Sequence, residues 1–304
     1  MNPAVMTANL TKTFTSTTAV DGINLRIPQG VCCGFLGKNG AGKTTTMKML
    51  TGLLPPTKGS ISIMGEERAY GQSGTPNFGY LPDVPNFYGY MNGIEYLDLV
   101  GKLCKYDEKS RKERNKELME VVGLKRTRAK IAGYSRGMKQ RLGIAQAIYN
   151  NPDVIFMDEP ISALDPIGRR DVANIVRSLK STTVMLSTHI IADVEDICDY
   201  VLIIDNGKIL AQDYLQNLKD SRIAGVAKIV FYNTEDLVKF KTEAENVGFT
   251  TENERDLILK IEKDINKTNL SKEITAILHT SSISCESFGV HAPTLEDIFL
   301  ELTR

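Results

Sequence analysis

A glycine-rich segment near the start of the chain has the residue types and spacing of a phosphate-binding loop. It matches the pattern G-x-x-x-x-G-K-[ST], follows an apolar run at residues 31–36 and precedes helix-like apolar spacing at residues 44–54. Its glycines let successive backbone N–H groups curve around phosphates, and the helix N-terminus adds positive potential. The matching residues are Gly37, Lys38, Asn39, Gly40, Ala41, Gly42, Lys43 and Thr44, and we include the following Thr45 among the predicted nucleotide contacts.

The last two residues of the pattern have separate predicted roles. Lys43 would reach the β- and γ-phosphates of a nucleotide, and the Thr44 hydroxyl would coordinate Mg²⁺. A glycine-rich turn without any ligand is the alternative, and the strand and helix on either side of the loop count against it. The segment therefore predicts a nucleotide bound together with Mg²⁺.

Two acids end an apolar run downstream of this loop. Residues 154–157 read Val-Ile-Phe-Met, and Asp158 and Glu159 follow them. In a protein with a phosphate-binding loop, a carboxylate at a strand end can hold the Mg²⁺ shell, which assigns Asp158 to the metal. Glu159 would then polarise the water that attacks the γ-phosphate, as a general base. Two solvated acids at a strand end are common, so this interpretation depends on the loop upstream.

The elements that must position these residues alternate between strands and helices. Buried strands are predicted at residues 154–157 and 183–186, and an all-helical insert at residues 88–132, where charges crowd a helical pattern. Alternation of this kind favours a parallel α/β sheet. Near residue 215 the pattern of predicted elements changes to that of a small α+β domain. Its predicted strands are 226–232, 257–261 and 283–288, and its predicted helices are 235–247, 270–278 and 295–302.

The composition is that of an ordinary globular protein. Of 304 residues, 42% are apolar and 24% are charged, and 37 Lys and Arg balance 37 Asp and Glu, so no polyanionic partner is indicated. The longest stretch without a charged side chain, residues 69–82, is rich in Gly, Pro and polar residues, so no membrane span is predicted. The five cysteines form no C-x-x-C pair and are expected to be reduced thiols in the cytoplasm.

With these motifs in place, the chain resembles the nucleotide-binding subunit of ATP-binding cassette (ABC) transporters. Residues 134–138, Tyr-Ser-Arg-Gly-Met, are similar to the family's signature loop, usually L-S-G-G-Q. Ser135 and Gly137 are retained, whereas Tyr134, Arg136 and Met138 depart from it. The resemblance implies that Ser135 and Gly137 contact the γ-phosphate of ATP held by another subunit, so that ATP joins two subunits. Without the family, this serine could equally be an ordinary helix N-cap.

Further residues match the family in its order along the chain. Residues 162–165, Ser-Ala-Leu-Asp, correspond to the D-loop at the dimer interface, and His189 corresponds to the switch histidine that contacts the γ-phosphate. Phe14 matches the aromatic residue that stacks on adenine. Without the resemblance, His189 would be read as a structural histidine and Phe14 as a core residue of a strand.

One position departs from the family at a functional place. The family's Q-loop glutamine should follow residues 78–82, Phe-Gly-Tyr-Leu-Pro, but Asp83 stands there. A carboxylate can bind Mg²⁺, but it cannot donate a hydrogen bond when it is ionised. Our hypothesis is that Asp83 is both a catalytic residue and a Mg²⁺ ligand, and that it still couples the site to the membrane subunit, with altered nucleotide chemistry. The alternative is a solvent-exposed acid in a loop.

The resemblance implies a fold and a domain organisation. It implies that residues 4–215 form a P-loop NTPase domain of the ABC type. This domain would be of the α/β class, with a mixed-sheet core and a helical subdomain at about residues 87–150. Residues 216–304 would form the small C-terminal α+β domain. The ending, residues 293–300, is similar to the tail of ATPase subunits from exporters of drugs, antimicrobial peptides and polysaccharides, nearest to bacitracin-resistance transporters.

The implied function is ATP hydrolysis that drives a transporter. The cofactors would be ATP and Mg²⁺, and the partners a second ABC ATPase subunit, as a homodimer or with a related chain, and a permease on a separate membrane chain. No nucleic acid is expected, and the protein would lie in the cytoplasm on the inner face of the membrane. The alternative is a non-transport ABC ATPase that acts on ribosomes or nucleic acid. A P-loop kinase or GTPase would leave Ser135 and His189 unexplained.

Overall fold

A computed structural model describes most of the chain as two compact units, Met1–Tyr214 and Leu215–Arg304. The residues that it describes are 3–68, 77–125, 127, 129–162, 164–179, 181–220, 225–263, 267–291 and 294–303. Ala163 of the predicted D-loop lies outside them, as does Pro293 of the C-terminal motif.

The first unit contains two sheets and a group of helices. Its elements in chain order are β1 (Val5–Phe14), β2 (Thr17–Ile23), β3 (Arg26–Ile27), β4 (Cys32–Leu36), α1 (Lys43–Leu50), β5 (Lys58–Ile63), β6 (Glu66–Glu67), β7 (Phe78–Leu81), α2 (Gly93–Leu103), α3 (Glu108–Val121), α4 (Arg136–Ala147), β8 (Val154–Asp158), α5 (Pro166–Ser178), β9 (Thr183–Thr188), α6 (Ile191–Ile197), β10 (Tyr200–Asp205) and β11 (Lys208–Tyr214). A short 3₁₀ turn, Ile131–Gly133, precedes α4.

The larger sheet is mixed and has six strands in the order β11-β10-β4-β9-β8-β7. Strands β10, β4, β9, β8 and β7 pair in parallel, and β11 joins the edge antiparallel. The smaller sheet is antiparallel, with β2-β1-β5-β6 in order and β3 paired to β1. These two sheets and the helices confirm the predicted α/β class with a mixed-sheet core and a helical part.

The central strands of the larger sheet are buried on both faces. Every residue of β8 and of β9 is buried, and in β4 only Cys32 is partly exposed. Strands covered on both faces read as continuous apolar runs, which is why residues 154–157 and 183–186 were recognisable in the sequence. The register aligns Leu36 with Thr188 and Asp158 with Ser187, so these three strands end at one edge of the sheet. Side chains that follow the strands are therefore brought together at that edge.

The helical part is built from helices with good N-terminal caps. Asn92 forms a capping box with Glu95 at the start of α2, and Asp107 caps α3 through the N–H groups of its first turn. Both helices fall within the insert predicted at residues 88–132. The third helix, α4, begins after Ser135, whose side chain accepts a hydrogen bond from the Met138 N–H at 3.2 Å. Ser135 is therefore the N-cap of α4, which is the alternative role that its sequence allowed.

The second unit has a βαββαβ core. Its elements are α7 (Leu215–Asp220), β12 (Gly225–Phe231), α8 (Thr234–Asn246), β13 (Thr250–Arg255), β14 (Ile258–Lys263), α9 (Lys267–Thr280), β15 (Cys285–His291) and α10 (Leu295–Leu302). All pairings in the sheet are antiparallel, in the order β13-β14-β12-β15, which is the ferredoxin-like arrangement. The α+β prediction missed β13 because it is polar and mostly exposed, so no apolar alternation marks it.

A capping box and an ion pair hold the last helix of the second unit against its sheet. Asp297 closes a capping box with Thr294 at the start of α10, and the same carboxylate accepts a hydrogen bond from Lys260 of β14 at 2.6 Å. These residues give a structural role to the C-terminal sequence that resembles exporter ATPases.

Two general features of the chain bear on its environment. Among the described residues, no helix has the length and apolar character that crossing a membrane requires. All five cysteines carry free thiols, and Cys33 and Cys198 are buried.

Candidate functional site

The glycine-rich loop connects β4 to α1 in a conformation that its glycines make possible. Gly40 has φ of 82° and Gly42 has φ of 108°, a region that residues with a side chain rarely adopt. A Cβ atom on Gly42 would also lie 2.6 Å from the carbonyl oxygen of Ala19. The loop therefore curves over the start of α1, as a phosphate cradle requires.

Lys43 is the first residue of α1, and its side chain is only 6% exposed. Its Nζ donates hydrogen bonds to the carbonyl oxygens of Gly37 at 2.7 Å and Lys38 at 3.1 Å. It also lies 3.5 Å from Oε1 of Glu159. The ammonium group is thus held by the loop on one side and by a strand-end carboxylate on the other, which compensates its burial.

Asp158, the last residue of β8, is almost completely buried and is held by two hydroxyl groups. Its Oδ1 accepts hydrogen bonds from Ser187 Oγ at 2.6 Å and from Thr44 Oγ1 at 3.2 Å. Thr44 and Asp158, two of the three predicted Mg²⁺ ligands, are therefore in direct contact, and the third, Asp83, lies in the lining of the cavity described below.

Ser187 is a functional candidate that the sequence analysis missed. Besides donating to Asp158, its Oγ accepts a hydrogen bond from the Glu159 N–H at 2.9 Å, so one hydroxyl orients both acids. The signal for it is weak, namely a buried serine near the end of a buried strand, two residues before His189.

Glu159 connects Lys43 to His189 and has an unusual backbone. Its φ is 48°, in the left-handed region where a residue with a side chain is strained. Its carboxylate oxygens lie 3.1 and 3.2 Å from Nδ1 of His189, and its side chain is 13% exposed. The turn after β8 therefore directs the predicted general base into the space between the loop and the switch histidine.

Of these groups, Lys43, Thr44, Glu159 and His189 line one cavity of about 360 Å³, at the edge of the sheet where the parallel strands end. Asp158 and Ser187 are not in its lining and connect to it through their hydrogen bonds to Thr44 and Glu159. A larger cavity of about 630 Å³ between α2 and α3 contains none of the predicted site residues. The lining of the smaller cavity consists of Ala19, Asn39, Gly40, Gly42, Lys43, Thr44, Thr45, Asp83, Arg136, Glu159, Ser162 and His189.

Several predicted contacts lie apart from this lining. Phe14 is on β1 and 45% exposed, with Nζ of Lys12 5.2 Å from the centre of its ring, so it is accessible to a stacking base. Ser135 is exposed at the start of α4, and Gly137 follows it in the first turn. Arg136, one of the residues that depart from the signature-loop consensus, does line the cavity.

The carboxylates of Asp83 and Glu159 line the cavity. The pKa of the Asp83 side chain is raised by burial and by the charges of Asp158 and Glu159, while Arg136 lowers it. No cluster of three or more His, Cys, Asp or Glu side chains with metal-ligand geometry occurs among the described residues. Proteins commonly hold Mg²⁺ through one or two carboxylates together with substrate phosphates. The Thr44 and Asp158 oxygens are ligands of the type that it prefers.

Comparison with known proteins identifies the family of the chain. Residues 20–162 match the ABC transporter family. The chain is 42% identical over 220 residues to the ABC transporter ATP-binding protein YxlF of Bacillus subtilis, covering 72% of this chain and 73% of that protein. It is 38% identical over 224 residues to the bacitracin transport ATP-binding protein BcrA of Bacillus licheniformis, covering 72% of each chain.

One relative extends the similarity through the second unit. The daunorubicin/doxorubicin resistance ATP-binding protein DrrA of Streptomyces peucetius is 32% identical over 313 aligned positions, covering 99% of this chain and 92% of that protein. Among solved structures, the dimeric ATP-binding cassette MJ0796 in a post-hydrolysis state with ADP and Pi superposes with a TM-score of 0.62. It is 24% identical and covers 69% of this chain and 98% of that chain, which supports the fold.

The fold and the cavity define an ATP-hydrolysing nucleotide-binding protein of the P-loop class. The chain belongs to the ABC transporter family and is an ATP-binding subunit of that family. Its cofactors are therefore ATP and Mg²⁺, and its activity is ATP hydrolysis. Members of the family work as dimers together with a membrane permease.

We predict that Ser187→Ala lowers kcat for ATP hydrolysis by at least about tenfold, because both acids lose the hydroxyl that orients them. KM for ATP should change less than kcat, since the loop and Lys43 are untouched. Steady-state hydrolysis with purified protein measures both constants.

Thr183→Val is the matched control for this prediction. Thr183 is buried at the other end of β9, where its hydroxyl accepts a hydrogen bond from the Gly30 N–H. This change should lower stability but leave kcat within about twofold of the wild-type value. Equal kcat for Ser187→Ala and wild type would contradict the role given to Ser187.

Proposed function

We propose that this chain powers export of a drug, antimicrobial peptide or similar molecule through a permease encoded as a separate chain. The observation that carries ATP-driven work is the cavity that joins Lys43, Glu159 and His189 at one edge of the sheet. The direction of transport is supported by the bacitracin transport and daunorubicin/doxorubicin resistance proteins, to which the chain is similar. The protein would then lie at the inner face of the membrane, held by the permease.

Within this proposal each group of the cavity has one role. The backbone of the loop and Lys43 bind the phosphates, while Thr44 and Asp158 hold Mg²⁺, which neutralises phosphate charge when bound. Glu159 accepts a proton from the attacking water, and His189 contacts the γ-phosphate. Phe14 stacks on adenine. Asp83 contributes to the Mg²⁺ site and to coupling to the permease.

A second copy of the chain supports the site from outside. The signature residues Ser135 and Gly137 do not line the cavity of their own subunit, and Ser135 is exposed at the N-terminal end of a 12-residue helix. A helix N-terminus favours a phosphate. If it binds the γ-phosphate held by the other copy, ATP has a higher affinity for the closed dimer than ADP has. Such a difference is what a ligand needs to shift a conformational equilibrium.

We expect Glu159→Gln to bind MgATP but to remain in a dimer, because hydrolysis no longer removes the γ-phosphate that joins the copies. Size-exclusion chromatography with light scattering should give twice the monomer mass in saturating MgATP. The same variant in MgADP is the control and should elute as a monomer. A monomer in saturating MgATP would count against the proposal.

A second surface supports a permease partner. A groove of about 550 Å³ runs between β7, α2 and the end of α4, and is lined with aromatic and aliphatic side chains, among them Tyr88, Tyr96 and Leu103. Tyr88 is 53% exposed and Leu103 75%. Exposed apolar side chains grouped in this way indicate an interaction site. Because Phe78 and Tyr80 of β7 also line the groove and β7 leads to Asp83, a segment of the permease in this groove would touch the strand that precedes the loop of Asp83.

We predict that Leu103→Glu abolishes association with the permease, because a carboxylate would be desolvated in an apolar contact. The tagged wild-type chain should copurify from detergent-solubilised membranes with a protein of several membrane spans, identified from its peptides. ATP hydrolysis by the isolated variant should be unchanged.

Leu53→Glu is the control, since Leu53 is 63% exposed and does not line the groove. It should retain the membrane protein. Recovery of ribosomal proteins or nucleic acid in place of a membrane protein would instead favour the non-transport ATPase.

A further inference from the structure

The two departures from the family's sequence pattern in the functional loops lie against each other. Asp83 occupies the place of the Q-loop glutamine, and Arg136 occupies the place of a signature-loop glycine. In the fold, Nη2 of Arg136 is 3.8 Å from Oδ1 of Asp83, and both side chains line the nucleotide cavity. A neutral amide and a glycine are thus replaced together by an acid and a base that form an ion pair.

Each of these charges is unfavourable without the other. Arg136 is the first residue of α4, and a cation at a helix N-terminus opposes the helix dipole. Asp83 lies beside the carboxylates of Asp158 and Glu159, which disfavour a further negative charge. The pair partly offsets both penalties, which gives a physical reason for the two departures to occur in the same chain.

The pair also links two segments that act on different nucleotides in the proposed dimer. Asp83 follows β7, and β7 pairs in parallel with β8, the strand that ends in Asp158. Arg136 stands between Ser135 and Gly137, which would contact ATP bound to the second copy. The ion pair therefore connects Asp83, which lies near the carboxylates of one nucleotide site, to the signature loop, which would contact the nucleotide of the other copy.

We propose that the Asp83–Arg136 ion pair is a latch that sets the position of the signature loop relative to the central sheet. Arg136 is a positioning residue in this scheme, and it acts on the second copy's nucleotide through Ser135 and Gly137. The inference rests on the proposed function, since it needs the ATP-joined dimer. Both side chains are about half exposed, 49% for Asp83 and 58% for Arg136, so the latch is weak and can open during each cycle.

The test is a double-mutant cycle in the Glu159→Gln chain, which should hold the dimer. The proteins are this parent, Asp83→Asn, Arg136→Gln and the double variant. Sedimentation velocity in saturating MgATP at low ionic strength gives the dimer dissociation constant. Titration with a fluorescent ATP analogue, at protein concentrations too low for dimerisation, gives the affinity of the monomer for the nucleotide.

Each single change should raise the dimer dissociation constant by about threefold, within the range of a half-exposed ion pair. The double variant should also raise it by only about threefold, because both single changes remove the same interaction. The affinity of the Arg136→Gln monomer for the ATP analogue should stay within twofold of the affinity of the parent. Arg136→Lys should restore dimerisation, and the differences should shrink in 1 M salt.

A second ion pair on the same helix supplies the control. Arg141 of α4 lies 3.3 Å from Asp171 of α5, and neither residue lines the nucleotide cavity. Arg141→Gln and Asp171→Asn should leave the dimer dissociation constant unchanged. Thermal unfolding of every variant reports whether the fold is intact.

Two results would overturn the latch while leaving the proposed function in place. One is a double variant whose effect is the product of the single effects, about ninefold, because the two residues would then act independently. The other is a loss of monomer affinity in Arg136→Gln as large as the loss of dimerisation, because Arg136 would then bind the nucleotide of its own subunit. A parent Glu159→Gln chain that stays monomeric in MgATP would remove the dimer and the latch together.

Discussion

The nucleotide site depends on one buried ammonium group and the oxygen atoms around it. Lys43 Nζ is held by the carbonyl oxygens of Gly37 and Lys38 and by the carboxylate of Glu159. A buried charge of this kind is tolerated only when opposite charge or hydrogen-bond acceptors compensate it. The loop after β4 and the turn after β8 must therefore meet, and they place between them the cation that is predicted to bind the phosphates.

The register of the parallel strands brings these segments together. Asp158 and Ser187 are aligned across β8 and β9, and Leu36 and Thr188 are aligned across β4 and β9. Because side chains of parallel strands cannot shift without moving their neighbours, the Thr44, Asp158 and Ser187 contacts form one connected group. Preorganised groups of this kind lower the cost of binding a charged ligand, since little reorganisation is left to do at the moment of reaction.

Much of the site was predictable because its signals are local in the sequence. The loop pattern that ends in Lys43 and Thr44 sits between a strand and a helix, and Asp158 and Glu159 end a continuous apolar run. The fold places all four around one cavity or next to it, with His189. The residue roles assigned to them, and the stacking role of Phe14, stay predictions.

Other features were not predictable because they depend on pairing between distant segments. The role of Ser187 follows from the lateral register of β8 and β9, which the sequence of either strand alone does not contain. The contact of Asp83 with Arg136 depends on the position of α4 over the end of β7, and the sequence analysis treated the two departures separately. Strand β13 was missed because its residues are polar, and only its pairing with β14 reveals it.

The most direct test of the central claim is equilibrium titration of the wild-type chain and of Lys43→Ala with MgATP. The structure predicts one nucleotide bound per wild-type chain and an affinity at least about tenfold lower for Lys43→Ala, since the phosphates lose a preplaced, charge-bearing hydrogen-bond donor. Equal affinities for the two proteins, with the fold of the variant intact, would contradict the account.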